Sequence, residues 1–547
     1  MSDKKTYDHA LTRDPIEPDY DGGRIVGKLF LNEDNPVLVS QARGGATYQL
    51  LPEADKSGVT RISIEYSPER NAQFIDECIT QMHQTGVFFR SGMTIVHVRN
   101  GRADPVSEPR LAYELSKLVL PYQVKTTRLG ETRSTIRFDR NLLGQIMEVA
   151  PDRLPVLNGF ADHPLLLPDG SLITKPGYDA ASGLFILNGA ARFPPIYSEP
   201  TEAQLKEAVA TCMKPFQGYH FDDDFGMTAT IFAVMLAVLR PLFSFSPMIV
   251  TTTLKTGVGK GYLQQALAII RTGAMPELRN IERKNLSEFR KTLFTLLYES
   301  NCVIALDNMD GVVNNETLSS FITAPVWSDR ILGLSKSGGA LRNDALLLLN
   351  GCRVELGKNI ARKVLRIGLT EAGEGHRFRD FGFLPHKEAL STRKNIIAAV
   401  LTIASHAQRC SRPQGTIGSF EEVNDLIRVP LADIAARLPE LGLRDPLGLF
   451  EATVENDVDS PEEADIFAHI HDAMEDTEFS SRELRQKMWT YMTLEAAFKE
   501  FSATSPTLSA HSVGAILNQL RDEPRGGLIL RARKLGGKNL WRIEEVK

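Results

Sequence analysis

The stretch Met248-Ile-Val-Thr-Thr-Thr-Leu-Lys-Thr-Gly-Val-Gly-Lys260-Gly-Tyr-Leu constrains this chain more than any other. Met248 to Thr253 is an apolar, β-branched run that reads as a buried strand. Leu263, Ala266, Leu267 and Ile270 recur at helical spacing, so a helix is expected from Tyr262 to Ile270. Between strand and helix, Gly257 and Gly259 let the backbone fold tightly. A loop of that kind aims the first helical N–H groups, and the positive end of the helix dipole, at one phosphate. Thr256, Gly257, Val258, Gly259, Lys260, Gly261 and Tyr262 would form the cradle, with Lys260 reaching the outer phosphates.

The loop departs twice from the pattern G-x-x-x-x-G-K-[ST]. Leu254 stands at the first Gly, where Gly257 still supplies a flexible point. Gly261 stands where a hydroxyl would bind Mg²⁺, so carboxylate, water and phosphate oxygens must hold the metal.

A second apolar run, Cys302 to Leu306, ends in Asp307-Asn308 and follows an amphipathic helix from Leu286 to Ser300. A buried strand with an Asp at its C-terminal end is the other half of nucleoside-triphosphate chemistry, and Asp307 would hold Mg²⁺. Asn308 can orient a water but cannot take its proton. A third strand, Ala345 to Leu349, ends at Asn350, whose amide could sense the γ-phosphate or position water. A fourth, Val364 to Leu369, follows Arg362-Lys363, and Arg362 could reach a neighbour's nucleotide.

Strand ends carrying Lys260, Asp307, Asn350 and Arg362 in this order resemble the AAA+ ATPase core. In detail the chain resembles the replication ATPases of phages, plasmids and integrated mobile elements, related to superfamily 3 helicases. The resemblance covers Leu154 to Phe383. It rests on Leu154-Pro-Val-Leu-Asn-Gly, Leu167-Pro-Asp-Gly-Ser-Leu, Pro176-Gly-Tyr-Asp179, Gly257-Val-Gly-Lys-Gly261, Asp307-Asn308, Asp329-Arg-Ile-Leu-Gly333 and Ile360-Ala-Arg-Lys363. That family often carries T-G-N-N where this chain has Asn350-Gly-Cys-Arg353; Asn350 is the preferred sensor. The resemblance implies an ATP- and Mg²⁺-dependent DNA helicase or translocase that assembles into a ring, as a hexamer, on single-stranded and forked DNA. A separate primase is a further possible partner. The alternative is an AAA+ initiator or loader that hydrolyses ATP without processive unwinding. The general base is left open.

The segment Ile331 to Ala345 is expected to be a hairpin with Gly338-Gly339 at its tip and Lys336 and Arg342 on its arms. In superfamily 3 helicases a hairpin at this point lines the pore and grips single-stranded DNA. A basic loop suits contact with phosphates rather than bases.

With 547 residues the chain is too long for one core. The expected fold is an α/β AAA+ P-loop core with an N-terminal α+β region and a C-terminal winged-helix-like domain. The expected units are a mobile arm (1–22), an N-terminal α+β domain (23–104), a connecting domain rich in helices and β-turns (105–215), the ATPase core (216–385), a helical lid (386–458) and the C-terminal domain (459–547). Between Arg444 and Arg482 there is no Lys or Arg, which marks the last boundary. From Arg521 to Lys547 eight basic residues meet four acidic ones, in a chain whose net charge is −5. Helices followed by a basic ribbon suggest a winged helix, with Arg531, Arg533, Lys534 and Lys538 touching DNA phosphates. Asp222-Asp-Asp224 fits the N-terminus of a helix that runs to Leu239. The five cysteines are dispersed inside apolar runs, which suggests reduced thiols in a cytoplasm rather than disulfides or a zinc site, and the resemblance implies that of a bacterial host cell. No signal peptide or bilayer-length apolar run is present in the sequence given, and no membrane partner is expected.

Overall fold

The computed structural model describes residues 9–14, 19–31, 37–42, 45–49, 61–99, 102–127, 130–255, 257–276, 278–279, 286–299, 302–330, 337–371, 384–455, 461–475, 477–501, 508–522, 524–525, 527–535 and 538–545. The fold is mixed α/β. Among the described residues no helix is long and apolar enough to cross a membrane.

A six-stranded sheet organises the middle of the chain. Its strands are β1 (His220–Phe221), β2 (Met248–Thr253), β3 (Leu278–Arg279), β4 (Val303–Leu306), β5 (Leu346–Cys352) and β6 (Val364–Thr370). Their spatial order is β1-β6-β2-β5-β4-β3. The last five are parallel, and β1 runs antiparallel to β6. The strand before the glycine loop is therefore central, paired on both sides, and buried at all six positions. Strands covered on both faces need continuous apolar runs, which is how β2, β4 and β5 read.

Helices α1 (Gly226–Leu239), α2 (Lys260–Thr272), α3 (Leu286–Tyr298), α4 (Glu316–Ile322) and α5 (Pro385–Ser405) accompany the sheet. From Ala229 to Leu239, α1 has no exposed residue, as expected of a helix that is apolar all round. α5 packs on α2 and on the helix Glu202–Met213. Residues from Leu166 to Phe450 thus share one core, and the helices after residue 385 belong to it.

The acidic run before α1 differs from its expected role. α1 begins only at Gly226, without a side-chain cap. Asp222 and Asp223 pair with Arg366 on β6, and Asp224 pairs with Arg444 at 2.5 Å. The carboxylates join chain segments, and Asp223 also accepts from N of the N-cap residue Phe225 at 2.8 Å.

In the N-terminal region, helices Asn71–Gln84, Glu108–Leu118 and Arg140–Arg153 share a core from Ile64 to Leu154. Residues on both sides of 104 therefore lie in one core. A separate core forms from Ile466 to Ile543. It contains helices Pro461–Met474, Ser481–Lys487, Met492–Phe501 and Ala510–Leu520, followed by a three-stranded sheet ending in Leu528–Leu535 and Lys538–Glu545. Trp541 is 1% exposed and its backbone bridges to Phe479.

Candidate functional site

Parallel strands bring their C-terminal ends to one edge of the sheet, and Lys260, Asp307, Asn308 and Asn350 gather there. In register, Leu306 faces Leu349, and Asn350 faces Thr251. Asp307 and Asn308 follow β4 directly, two strands from the glycine loop. Gly257 (φ 87°) and Gly259 (φ 97°) adopt the left-handed conformation, and Gly259 is the N-cap of α2. Thr256 lies outside the described residues. The helix starts at Lys260, two residues earlier than expected, so Gly261 and Tyr262 sit in its first turn. Val258, within the loop, is buried.

Three contacts fix the loop. Tyr219 donates its hydroxyl to Gly259 O at 2.9 Å. Lys255 pairs with Glu371 at 2.7 Å. Lys260 Nζ donates to Cys352 Sγ at 3.3 Å, so a soft sulfur acceptor meets the amine. Entering phosphate would replace this weak contact by a charge-assisted one.

Asp307 is half-buried and makes no hydrogen bond or ion pair among the described residues. A carboxylate at that place fits Mg²⁺, which one or two carboxylates and the nucleotide phosphates commonly hold. Asn308 is exposed, with φ 54°, a conformation that Asn tolerates better than most residues.

Asn350 occupies a different position from a water-facing sensor. It is fully buried. Its Nδ2 donates to Gln264 Oε1 on α2, and its Oδ1 accepts from Asn308 N at 3.4 Å. Gln264 in turn donates to Leu306 O at 3.3 Å. The amide pair therefore ties β4, β5 and α2 together beneath the loop. Two residues on, and so on the same face of β5, Cys352 carries the side chain that reaches Lys260. Asp310 Oδ1 accepts from Cys352 N at 2.6 Å, and Arg353 N donates to Thr253 O at 2.8 Å. Cys352, Gln264, Asp310 and Tyr219 were not found from sequence. The period-two alternation of a strand continued past Asn350 would have indicated Cys352.

Arg362 lies at the opposite edge of the sheet. Val364 is in register with Met248, the first residue of β2. Six residues of strand separate the two edges, roughly 20 Å. Arg362 is exposed and has no ion-pair partner among the described residues. Its neighbour Lys363 instead donates to Ser319 O at 2.8 Å and Ser319 Oγ at 2.9 Å on α4. Burial, then the adjacent Arg362, pushes the Lys363 ammonium below its ordinary pKa.

The expected hairpin is present with a different tip. Val326–Arg330 pairs with Ser337–Arg342, with a register irregularity between Ser328 and Arg330. Gly338 and Gly339 are thus in the second arm. The connection, 331–336 with Lys336, lies outside the described residues. Arg342 is at the base, opposite Val326, and its guanidinium turns inward to donate to Phe243 O at 3.3 Å. Burial lowers its pKa. This side chain, expected on an arm that grips DNA, is here directed at a backbone carbonyl, a partner that a half-buried guanidinium needs. The first arm is held by Arg290, which pairs with Asp329 at 2.6 Å and stacks 4.7 Å from the Trp327 ring.

In the C-terminal sheet Arg531 pairs with Asp522 at 3.3 Å and Arg533 with Glu478 at 2.6 Å. Lys534 is exposed and has no ion-pair partner among the described residues. The side chain of Lys538 is outside the described set. One His/Cys/Asp cluster occurs among the described residues: His406, Cys410 and Asp433. Asp433 already serves His406 Nε2 at 2.7 Å and Arg437 at 3.5 Å, so the cluster is a hydrogen-bonded network between helices.

No protein-family model matches the chain, and no curated protein matches it. Solved structures similar to the chain include "The A form apo structure of NrS-1 C terminal region-CTR" and the same region described as residues 305–718. Each is 12% identical, at a TM-score of 0.31. The first covers 86% of this chain and 98% of its own, the second 85% and 98%. A likeness of that size carries no argument. The fold and the site define a mixed α/β protein whose glycine loop, lysine and half-buried aspartate share one sheet edge.

Proposed function

We propose that this chain is an AAA+ motor: an ATP-dependent DNA helicase or translocase that works as a ring in the replication of a phage, plasmid or integrated element. The observation that carries the reading is the sheet order β6-β2-β5-β4-β3, with the glycine loop after the central strand and Asp307 two strands away. Lys260 and the first-turn N–H groups bind the β- and γ-phosphates. Asp307 holds Mg²⁺, which neutralises phosphate charge. Asn308 orients the attacking water, and Asn350 keeps its strand in place. Arg362, displaced to the far edge, suits a site completed by the adjacent subunit, where it stabilises developing charge.

The initiator or loader reading keeps the same ATPase. It gains support from Arg342, which turns inward, and from Arg531 and Arg533, which are paired with acids. Displacement of a labelled strand from a fork separates the two. ATP-dependent displacement that fails with Lys260→Ala supports the helicase. ATP turnover without displacement supports the switch.

A further inference from the structure

The C-terminal unit exposes aromatic surface that its fold does not use. Trp489 is 79% exposed, Met492 80% and Tyr491 37%, all within the five residues after the helix Ser481–Lys487. Trp327 and Trp541 are 6% and 1% exposed, so Trp489 alone faces water. A lone exposed apolar residue is ordinary, but two aromatics and a methionine side by side form a patch.

Cations accompany both rings. Arg485 lies 5.6 Å from the Trp489 ring centroid and is fixed by donating to Leu508 O at 2.6 Å. Lys487 lies 5.8 Å from the Tyr491 ring. Arg482 and Lys487 are exposed and have no ion-pair partner among the described residues. The nearest acid in sequence, Glu483, accepts from Ser480 N and Oγ at 2.7 and 2.8 Å as part of a capping box and forms no ion pair with either among the described residues, while Glu495 pairs with Arg485 at 3.7 Å and Lys499 at 3.1 Å.

We propose that Trp489 and Tyr491, with Lys487 beside the Tyr491 ring and Arg482 exposed on the preceding helix, form a stacking platform for single-stranded nucleic acid. Open rings accept base faces of any sequence, and the unpaired cations hold the phosphates between stacked bases. Unstacked bases are required, so the site selects single strands over duplex. It is distinct from the hairpin and the basic strands, and it stands whether or not the chain hydrolyses ATP.

The test uses the full chain and its own fluorescence, titrated with oligothymidylate. Stacking on Trp489 quenches the emission of the one exposed indole, and Trp489→Phe abolishes the quenching while binding of a labelled oligonucleotide stays within a few-fold. Trp489→Ala weakens that binding by about 5- to 100-fold, the size of one lost stack. Since Trp489 is solvent-exposed, neither substitution perturbs folding, which circular dichroism verifies. Three results overturn the proposal: no quenching at saturating oligothymidylate, equal quenching by duplex, or a spectral shift on raising protein concentration without nucleic acid, which would assign the patch to a second copy of the chain.

Discussion

Asn350 is the residue whose role the geometry sharpens most. Its amide is buried and shared between Gln264 and Asn308 N. Asn350→Ala leaves those groups unpaired and should lower stability by about 1–3 kcal/mol in urea titrations. A variant of unchanged stability that loses ATP turnover would restore the sensor role instead. His163 makes a second residue-level prediction. It is fully buried, and burial pushes its imidazole from 6.5 down to about 4, against the opposing pull of Asp162. The folded state therefore keeps it neutral while the unfolded chain takes up a proton below 6.5. Stability is present in full above that pH and falls as pH drops towards 4. The urea midpoint should decrease between neutral pH and about pH 5, and His163→Gln should decrease less.

At the scale of the element, α2 is clamped at both ends. Its N-terminus depends on Gly259 and on the Tyr219 hydroxyl. Tyr219→Phe should raise the ATP concentration for half-maximal turnover about 5-fold, the worth of one hydrogen bond. At the C-terminus Arg393 of α5 donates to Ile269 O and Ile270 O at 3.0 Å, and forms two 2.7 Å bonds to Asp162. Burial alone would raise the Asp162 carboxyl, but the Arg393 hydrogen bonds outweigh it and hold it below the usual range. Arg393→Ala strands a mostly buried carboxylate and frees helix carbonyls, and should destabilise the protein by about 3 kcal/mol. The elements themselves were legible in sequence. β2 matches its expected bounds, because the β-branched run Ile249 to Thr253 suits a strand paired on both sides. β5 runs past Asn350 to Cys352, because the polar Asn-Gly-Cys stretch keeps its ladder bonds to Thr251, Thr252 and Thr253. Composition hides such pairing, and it equally hides the side-chain network Gln264–Asn350–Asn308, which joins residues far apart in the chain. The hairpin tip was misplaced because Gly338-Gly339 reads as a turn locally, whereas cross-strand register sets where the turn falls.

For the whole molecule, the distance between Lys260 and Arg362 makes a claim about assembly. Arg362→Ala should reduce ATP turnover by roughly 10³-fold with nucleotide binding retained, as loss of an arginine finger does. Mixing it with Lys260→Ala should recover part of the activity, because one mixed interface holds both intact groups. Full activity of Arg362→Ala would remove the trans site. The central claim is tested most directly by ATP hydrolysis with and without single-stranded DNA, comparing wild type with Lys260→Ala and Lys336→Ala. The account predicts DNA-stimulated hydrolysis that the first substitution abolishes and the second uncouples from DNA. Nucleotide binding without turnover, or turnover that survives Lys260→Ala, would contradict it.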